Sequence, residues 1–207
     1  MKKEDSVHLD RRSVSRMSLL GRLLGFFILI FALVYYSFGY YTMLRSLIIV
    51  SLIFIPFDLI NYLSKGKSRI SRLFFKIYPH KKEEKKHLFG DGTIFLLSTI
   101  IMVLVLPKGV VIMSLIIFNF VDPAERVFGI MLPYLKLPWN KKKTWVGTAF
   151  GFFAGIIFSI LGIYLLNIYF SALSIITASL IVALAGTSSK WDNLLIPWLS
   201  AIVLLLI

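Results

Sequence analysis

The chain has 207 residues, of which 58% are hydrophobic, and a formal net charge of +13. Its mean hydropathy of +0.84 is too high for a soluble domain of this size and indicates an integral membrane protein. The absence of cysteine excludes disulfides, thiol nucleophiles and cysteine-ligated metal sites. The three histidines are scattered, so a histidine-ligated metal site is not expected either.

The apolar residues form seven runs separated by polar segments. These runs occupy residues 23–41, 46–63, 93–106, 109–121, 144–166, 170–188 and 194–207. A membrane-spanning helix needs roughly 20 apolar residues, so the first, second, fifth and sixth runs are long enough. The other three are tilted or flank-extended helices, or the third and fourth form a re-entrant hairpin turning at residues 107–109. We predict an all-α, polytopic membrane helical bundle of about seven transmembrane helices.

The positions of the basic residues predict the orientation of this bundle. If every run crosses the bilayer once, all Lys and Arg residues except Arg45 and Lys108 lie on one face. The positive-inside rule makes that face cytoplasmic. Residues 1–22 are then a basic cytoplasmic N-terminal segment, and the first run is an uncleaved signal-anchor because no small-residue cleavage site precedes it. Residues 23–207 form a single transmembrane domain with cytoplasmic loops at 64–92, 122–143 and 189–193.

The same basic residues indicate what the surface binds. They border the apolar runs, where each attracts anionic lipid headgroups by about 1 kcal/mol. We therefore expect the lipid bilayer, and not nucleic acid, to be the partner of this charge. The sequence leaves open whether the chain forms a homo-oligomer.

The longest polar segment, 64–92, contains one amphipathic pattern. Ile70, Leu73, Phe74 and Ile77 follow helical spacing. This pattern predicts an interfacial amphipathic helix that ends before Pro79. Such a helix serves either as a membrane-surface tether or as a gate for lipid entering from the cytoplasmic leaflet.

Asp58 lies inside the second apolar run, near its cytoplasmic end. A carboxylate within a membrane helix is costly and usually faces a polar cavity or a partner. The alternative is that the side chain reaches out to the interface. Both interpretations stay open from the sequence.

Two carboxylates begin the second cytoplasmic loop. Asp122 and Glu125 are three residues apart and would share one face of a helical turn. Mg²⁺ commonly binds through one or two carboxylates together with substrate phosphates. These residues are therefore candidate metal ligands.

Two further polar stretches precede apolar runs on the same face. Lys141, Lys142, Lys143 and Thr144 precede Gly147 at the start of the fifth run, where cations, a hydroxyl and a helix N-terminus favour bound phosphate. Gly147, Gly151 and Gly155 then form a small-residue stripe that predicts close helix packing. Before the last run, Asp192 and Asn193 add a carboxylate and an amide. The three stretches together predict a phosphate-and-metal site.

The order of these motifs resembles a known family. It is similar to the motif order of the CTP-dependent polyprenol and lipid kinases. The motifs are, in chain order, Asp122 with Gly129, Lys143-Thr144 with Gly147, and Asp192-Asn193 with Pro197. That family includes dolichol kinase, phytol kinase and CTP-dependent diacylglycerol kinase, and is related to phosphatidate cytidylyltransferases. Glu84, with Leu88 and Gly90, resembles the family's segment before its corresponding helix. Where the family often has a Glu eight to ten residues before its Asp-Asn pair, this chain reads Ala183-Leu-Ala185-Gly186.

The resemblance implies an integral membrane transferase that phosphorylates a lipid hydroxyl with CTP and Mg²⁺. Asp122 would hold Mg²⁺, with Glu125 or Asp192 as a second ligand or base. Lys142, Lys143, Thr144 and Gly147 would bind the triphosphate, and Asn193 would orient the nucleotide. Asp58 and Glu84 are further candidate residues. The lipid, a polyprenol, a diacylglycerol or an ether lipid, is not specified.

Two alternatives accompany this expectation. A cytidylyltransferase would use the same metal and cations while a lipid phosphate attacks the α-phosphate of CTP. A non-catalytic relative or a small-solute transporter is the other class. A transporter should show broken spans with polar residues near the midplane, whereas here the polar residues gather at the cytoplasmic ends.

Overall fold

The structure is a computed structural model that describes residues 11–64, 68, 88–188 and 192–207, with side chains described from Leu29 onward except at positions 91, 188, 192 and 193. These residues form six helices and no strand, which confirms the predicted all-α class. The helices are α1 (Arg11–Leu63), α2 (Asp91–Val105), α3 (Lys108–Met131), α4 (Trp145–Leu166), α5 (Ala172–Ser188) and α6 (Asp192–Leu206). The predicted interfacial helix and Glu84 lie outside the described residues.

The first two predicted spans are one helical element interrupted at a single residue. Gly39 has φ 80° and ψ −171°, and the helix resumes directly after it. We expected a separate loop between residues 41 and 46, and this expectation is wrong. Glycine alone adopts this backbone at little cost, so the chain bends there, and Met43 in the helix that follows is fully buried.

The predicted count of seven spanning helices is not confirmed. By length and composition, two of the described segments could cross a membrane, Leu29–Leu63 and Trp145–Leu166. Three further apolar helices are shorter, at Gly92–Val105, Ala172–Thr187 and Leu194–Leu206. α3 does not qualify because its second half carries Asp122, Glu125 and Arg126.

α3 is the central helix of the bundle. Every residue from Val110 to Asn119 is buried, as expected for a helix covered on all sides. We expected the helix to end at residue 121 and a loop to begin at 122, which is wrong. Pro123 removes one backbone hydrogen bond, yet the helix continues to Met131 because Val121 and Glu125 pack against Gly151 of α4.

Successive helices alternate in direction and bring several helix ends together. Asp58 of α1 contacts Thr93 at the start of α2, and Glu125 of α3 contacts Lys143 just before α4. Gly186 near the end of α5 lies against the same Glu125–Lys143 pair. We call this the site end. At the other end of the bundle, the Lys108 Nζ donates to the Tyr36 carbonyl.

Asp58 has partners inside the protein. Its Oδ2 accepts from the Gly90 N–H at 2.7 Å and from the Thr93 hydroxyl at 2.6 Å, and the residue is buried. Gly90 is the N-cap of α2 and has no side chain with which to cap the helix. The carboxylate therefore supplies the missing cap from a neighbouring helix, where it also complements the positive end of the helix dipole.

This geometry predicts a structural cost for removing Asp58. Asp58→Ala should lower the free energy of unfolding by about 2 kcal/mol, because two buried donors lose their acceptor. Asp58→Asn keeps one acceptor oxygen and should cost about half as much. The measurement is unfolding in mixed micelles of a mild detergent and SDS. Wild-type stability in Asp58→Ala would contradict the capping role, and lost activity at unchanged stability would point to chemistry instead.

Candidate functional site

The site end contains a buried ion pair. Lys143 Nζ lies 2.9 Å from Glu125 Oε2, with the Glu125 side chain 2% exposed and the Lys143 side chain 27% exposed. The two residues come from α3 and from the segment that leads into α4. A buried carboxylate requires such a partner, since removal from water penalises an uncompensated charge. The Lys143 side chain remains partly exposed at the surface.

The glycines of α4 allow this pair to form. A Cβ at Gly147 would lie 2.6 Å from the Glu125 carbonyl oxygen, and one at Gly151 would collide with Glu125 Cγ. Gly129 of α3 faces Gly147 and the Thr144 hydroxyl. The predicted packing role of the stripe is confirmed, and it brings together residues from two of the motifs found in the sequence.

The segment between α3 and α4 is held in place by hydrogen bonds. The Lys143 carbonyl accepts from the Leu137 N–H at 3.0 Å, and the Lys143 N–H donates to the Asn140 carbonyl at 2.9 Å. Asn140 Nδ2 donates to the Thr187 carbonyl at 2.8 Å, which ties the segment to α5. These contacts fix the backbone of Lys143 and direct its side chain toward Glu125.

Thr144 caps α4. Its Oγ1 accepts from the Gly147 N–H at 3.0 Å, and the residue is buried. The Trp145 N–H donates to the Leu135 carbonyl at 3.0 Å. Two of the amides expected to hold phosphate are thus engaged within the protein, which leaves Lys141, Lys142 and Lys143 as the accessible cationic groups in this stretch.

Asp122 lies on an adjoining face of α3. Its Oδ2 is 3.4 Å from Arg126 Nη2, and its side chain is 26% exposed. One turn earlier, Asn119 is buried and its Oδ1 accepts no hydrogen bond. A buried acceptor without a donor is costly, so a bound cation or donor at this position would relieve that cost. Sequence analysis did not select Asn119, although an amide three residues before Asp122 in an otherwise apolar run was the available signal.

Of the predicted carboxylate ligands, the structure describes the side chains of Asp122 and Glu125, and each of them pairs with a different basic residue. Among the described side chains, no group of three or more acidic or histidine residues could hold a metal ion. Glu125 is engaged by Lys143, Asp122 by Arg126, and the Asp192 side chain lies outside the described part. The candidate oxygen ligands for Mg²⁺ on this face are Asp122, whose carboxylate is accessible, and Asn119, whose Oδ1 accepts no hydrogen bond.

The first part of α6 lies near the ion pair, next to Gly186 of α5. A Cβ at Gly186 would lie 3.2 Å from Glu125 Oε2, 3.6 Å from Lys143 Nζ and 3.5 Å from Ile196 Cδ1. Ile196 is in the second turn of α6, whose first residues are Asp192 and Asn193. All three motifs therefore meet at one end of the bundle.

Comparisons with protein-family models, curated proteins and solved structures found no match to this chain.

Proposed function

We propose that this protein is a multi-pass membrane transferase that phosphorylates a lipid hydroxyl with CTP and Mg²⁺ at the site end. The observation that carries the proposal is the convergence of three distant motifs on the Glu125–Lys143 pair. A buried carboxylate, a lysine with a partly exposed side chain and a second, accessible carboxylate at Asp122 are groups that phosphoryl transfer can use. That reaction depends mainly on positioning and on neutralising charge at the phosphoryl oxygens.

The exposed surface of α4 supports embedding in a bilayer. Its buried residues are small ones, namely Gly147, Thr148, Gly151, Gly155, Ser159 and Gly162. Bulky apolar side chains such as Phe153, Ile157 and Tyr164 are exposed along the same helix. Water disfavours so continuous an apolar surface, whereas lipid chains solvate it. The positive-inside rule then places the lysine-rich site end in the cytoplasm.

In this proposal, Lys143 and Lys142 bind the triphosphate of CTP. Glu125 positions the Lys143 ammonium, a role that fits its burial better than metal binding does. Mg²⁺, when bound, would neutralise charge on the phosphoryl oxygens, and Asp122 with Asn119 would hold it. Asn193, with the start of α6, would orient the nucleotide.

The proposed transfer step forms one bond and breaks another. The lipid hydroxyl oxygen bonds to the γ-phosphorus, the bond from that phosphorus to the β,γ-bridging oxygen breaks, and CDP leaves with the electron pair. The hydroxyl proton passes to a base, which we assign to Asp192 because Glu125 already binds Lys143.

The position of Glu125 agrees with one departure of this chain from the family it resembles. The segment 183–186 of α5 lacks the Glu that the family often has there. Gly186 instead faces the carboxylate of Glu125, which comes from α3. An acidic group is therefore present against this part of α5, although a different helix provides it.

Labelled CTP tests the proposal and separates its alternatives. Purified protein is incubated with mixed lipids, Mg²⁺ and CTP labelled either at the γ- or at the α-phosphate. We expect label in lipid from γ-labelled CTP only. Label from the α position only would identify a cytidylyltransferase, and no label from either would identify a non-catalytic relative.

Cysteine labelling tests the orientation. The chain has no cysteine, so Lys142→Cys and Thr42→Cys each create a unique thiol. In sealed spheroplasts, a membrane-impermeant maleimide should label Thr42→Cys from outside, and Lys142→Cys only after permeabilisation, because the two positions lie at opposite ends of the bundle. Labelling of both positions from the same side would contradict the multi-pass orientation.

A further inference from the structure

Residues 130–145 present an unusual surface at the site end. Within this segment, which we call the interfacial loop, the exposed apolar side chains are Ile130, Met131, Leu132, Tyr134, Leu135, Trp139 and Trp145. Tyr134 and Leu135 are the most open, at 72% and 71% exposed. Isolated apolar residues on a surface are ordinary, but a contiguous group of this size marks an interaction site.

The same loop is also cationic. Lys136, Lys141 and Lys142 are exposed, and the sequence from 130 to 145 contains no acidic residue. Trp and Tyr prefer the boundary between headgroups and acyl chains, and lysines beside them attract anionic headgroups. This combination is the one that interfacial membrane-binding segments use.

The backbone at Leu135 adds an independent observation. Leu135 has φ 56°, in the left-handed region where glycine or asparagine is favoured. A leucine there is strained, and its side chain gains little from packing because it is largely exposed. Backbone strain of this kind clusters at functional and ligand-contacting sites.

The loop holds these side chains in a fixed arrangement. Trp139 Nε1 donates to Thr187 Oγ1 at 3.1 Å, and the Trp139 and Trp145 rings meet edge to face at 5.4 Å. The Leu135 carbonyl accepts from the Trp145 N–H. The apolar tip is therefore presented by an anchored loop whose other end carries Lys143 of the candidate site.

We propose that the interfacial loop inserts Tyr134 and Leu135 into the leaflet at the site end, while its lysines bind anionic lipid headgroups. The occupant is an anionic lipid surface, because the exposed charge is positive and the exposed apolar residues are interfacial types. The inference rests on the membrane embedding in the proposed function and not on phosphoryl transfer. If so, the substrate lipid enters the site from the membrane leaflet that the loop contacts, next to Lys143.

The test uses unique cysteines labelled with the environment-sensitive fluorophore NBD. Leu135→Cys and, as the matched control on the same loop, Lys141→Cys are placed in nanodiscs of phosphatidylglycerol or phosphatidylcholine. In phosphatidylglycerol, doxyl-labelled lipid should quench the probe at 135 at least about twofold more than the probe at 141, and aqueous iodide should show the reverse. Iodide access at 135 equal to that at 141 would overturn insertion.

Two comparisons test the lipid charge and the occupant. In Leu135→Cys, adding Lys136→Gln should reduce the quenching in phosphatidylglycerol toward its value in phosphatidylcholine. The anionic preference would be overturned if doxyl quenching were equal in phosphatidylglycerol and phosphatidylcholine, both in Leu135→Cys alone and in the variant that also carries Lys136→Gln. Efficient disulfide cross-linking of Leu135→Cys between two copies would instead assign this surface to self-association.

A final variant separates membrane contact from folding. Leu135→Asn relieves the left-handed strain, so its thermal stability should equal or exceed that of the wild type. In a second protein, the probe is attached at Tyr134→Cys. Adding Leu135→Asn to that protein should lower doxyl quenching of the probe by about twofold. Lower stability with unchanged quenching would mean that Leu135 packs within the protein. Because these readouts need no CTP, insertion without turnover would refute only the transfer reaction.

Discussion

Asp122→Asn should reduce γ-phosphate transfer to lipid by about 100-fold or more. The substitution preserves shape but removes the accessible carboxylate to which we assign Mg²⁺ in the proposed function. Folding should persist, because the Asp122 side chain is partly exposed and its ion pair with Arg126 at 3.4 Å contributes little to stability. The measurement is initial rate against Mg²⁺ concentration, where a residual rate should require more metal.

Arg126→Gln is the matched control for this substitution. It breaks the same ion pair from the other side and leaves the carboxylate in place, so transfer should change by no more than about twofold. Near wild-type activity of Asp122→Asn at low Mg²⁺ would refute the metal assignment. An equal loss in both variants would mean that the ion pair, and not the carboxylate alone, supports activity.

Lys143→Ala should weaken CTP binding strongly and also destabilise the protein. It removes a charge-assisted phosphate contact, and it leaves the buried Glu125 carboxylate without its lysine. We expect a loss of about 3 kcal/mol of stability, the low end for a broken buried pair because Lys143 is partly exposed. Nucleotide binding by calorimetry and unfolding in mixed micelles measure the two effects separately, and lipid binding should change less.

A double variant distinguishes the positioning of the lysine from its effect on stability. Glu125→Gln combined with Lys143→Met removes both charges and keeps similar volumes, so stability should recover toward the wild type. CTP binding should stay weak, because the ammonium is still absent. Lys81→Ala, in the basic segment outside the described residues, controls for overall charge and should do little. If Lys81→Ala lost as much CTP binding as Lys143→Ala does, the basic segments would act only through their overall positive charge.

Local patterns were sufficient to predict the features that depend on neighbours in the chain. The helical class and the packing stripe at Gly147, Gly151 and Gly155 follow from apolar content and from a spacing of four residues. Thr144 was expected to bind phosphate, whereas in the structure its hydroxyl accepts a hydrogen bond from the Gly147 N–H and caps its own helix. The sequence also predicted that the polar site residues lie at helix ends, because a carboxylate or lysine inside an apolar helix is costly.

Local patterns failed where contacts elsewhere in the bundle decided the backbone. Residues 42–45 were expected to form a loop because they follow a long apolar run. The break occurs at Gly39 instead, because its positive φ suits glycine, and residues 42–45 lie in the helix that follows. The helix past Pro123 is similar, because packing of Glu125 against Gly151 outweighs one lost hydrogen bond.

The pairing of the site residues was decided by tertiary structure alone. Glu125 and Lys143 are separated by 18 residues, and Asp58 and Thr93 by 35, so no periodicity connects them. Composition determined that this chain is helical, apolar and basic. The glycine faces of neighbouring helices decide how closely those helices approach, and this approach decides which carboxylate meets which donor. A buried charge is retained only where the packing supplies its partner.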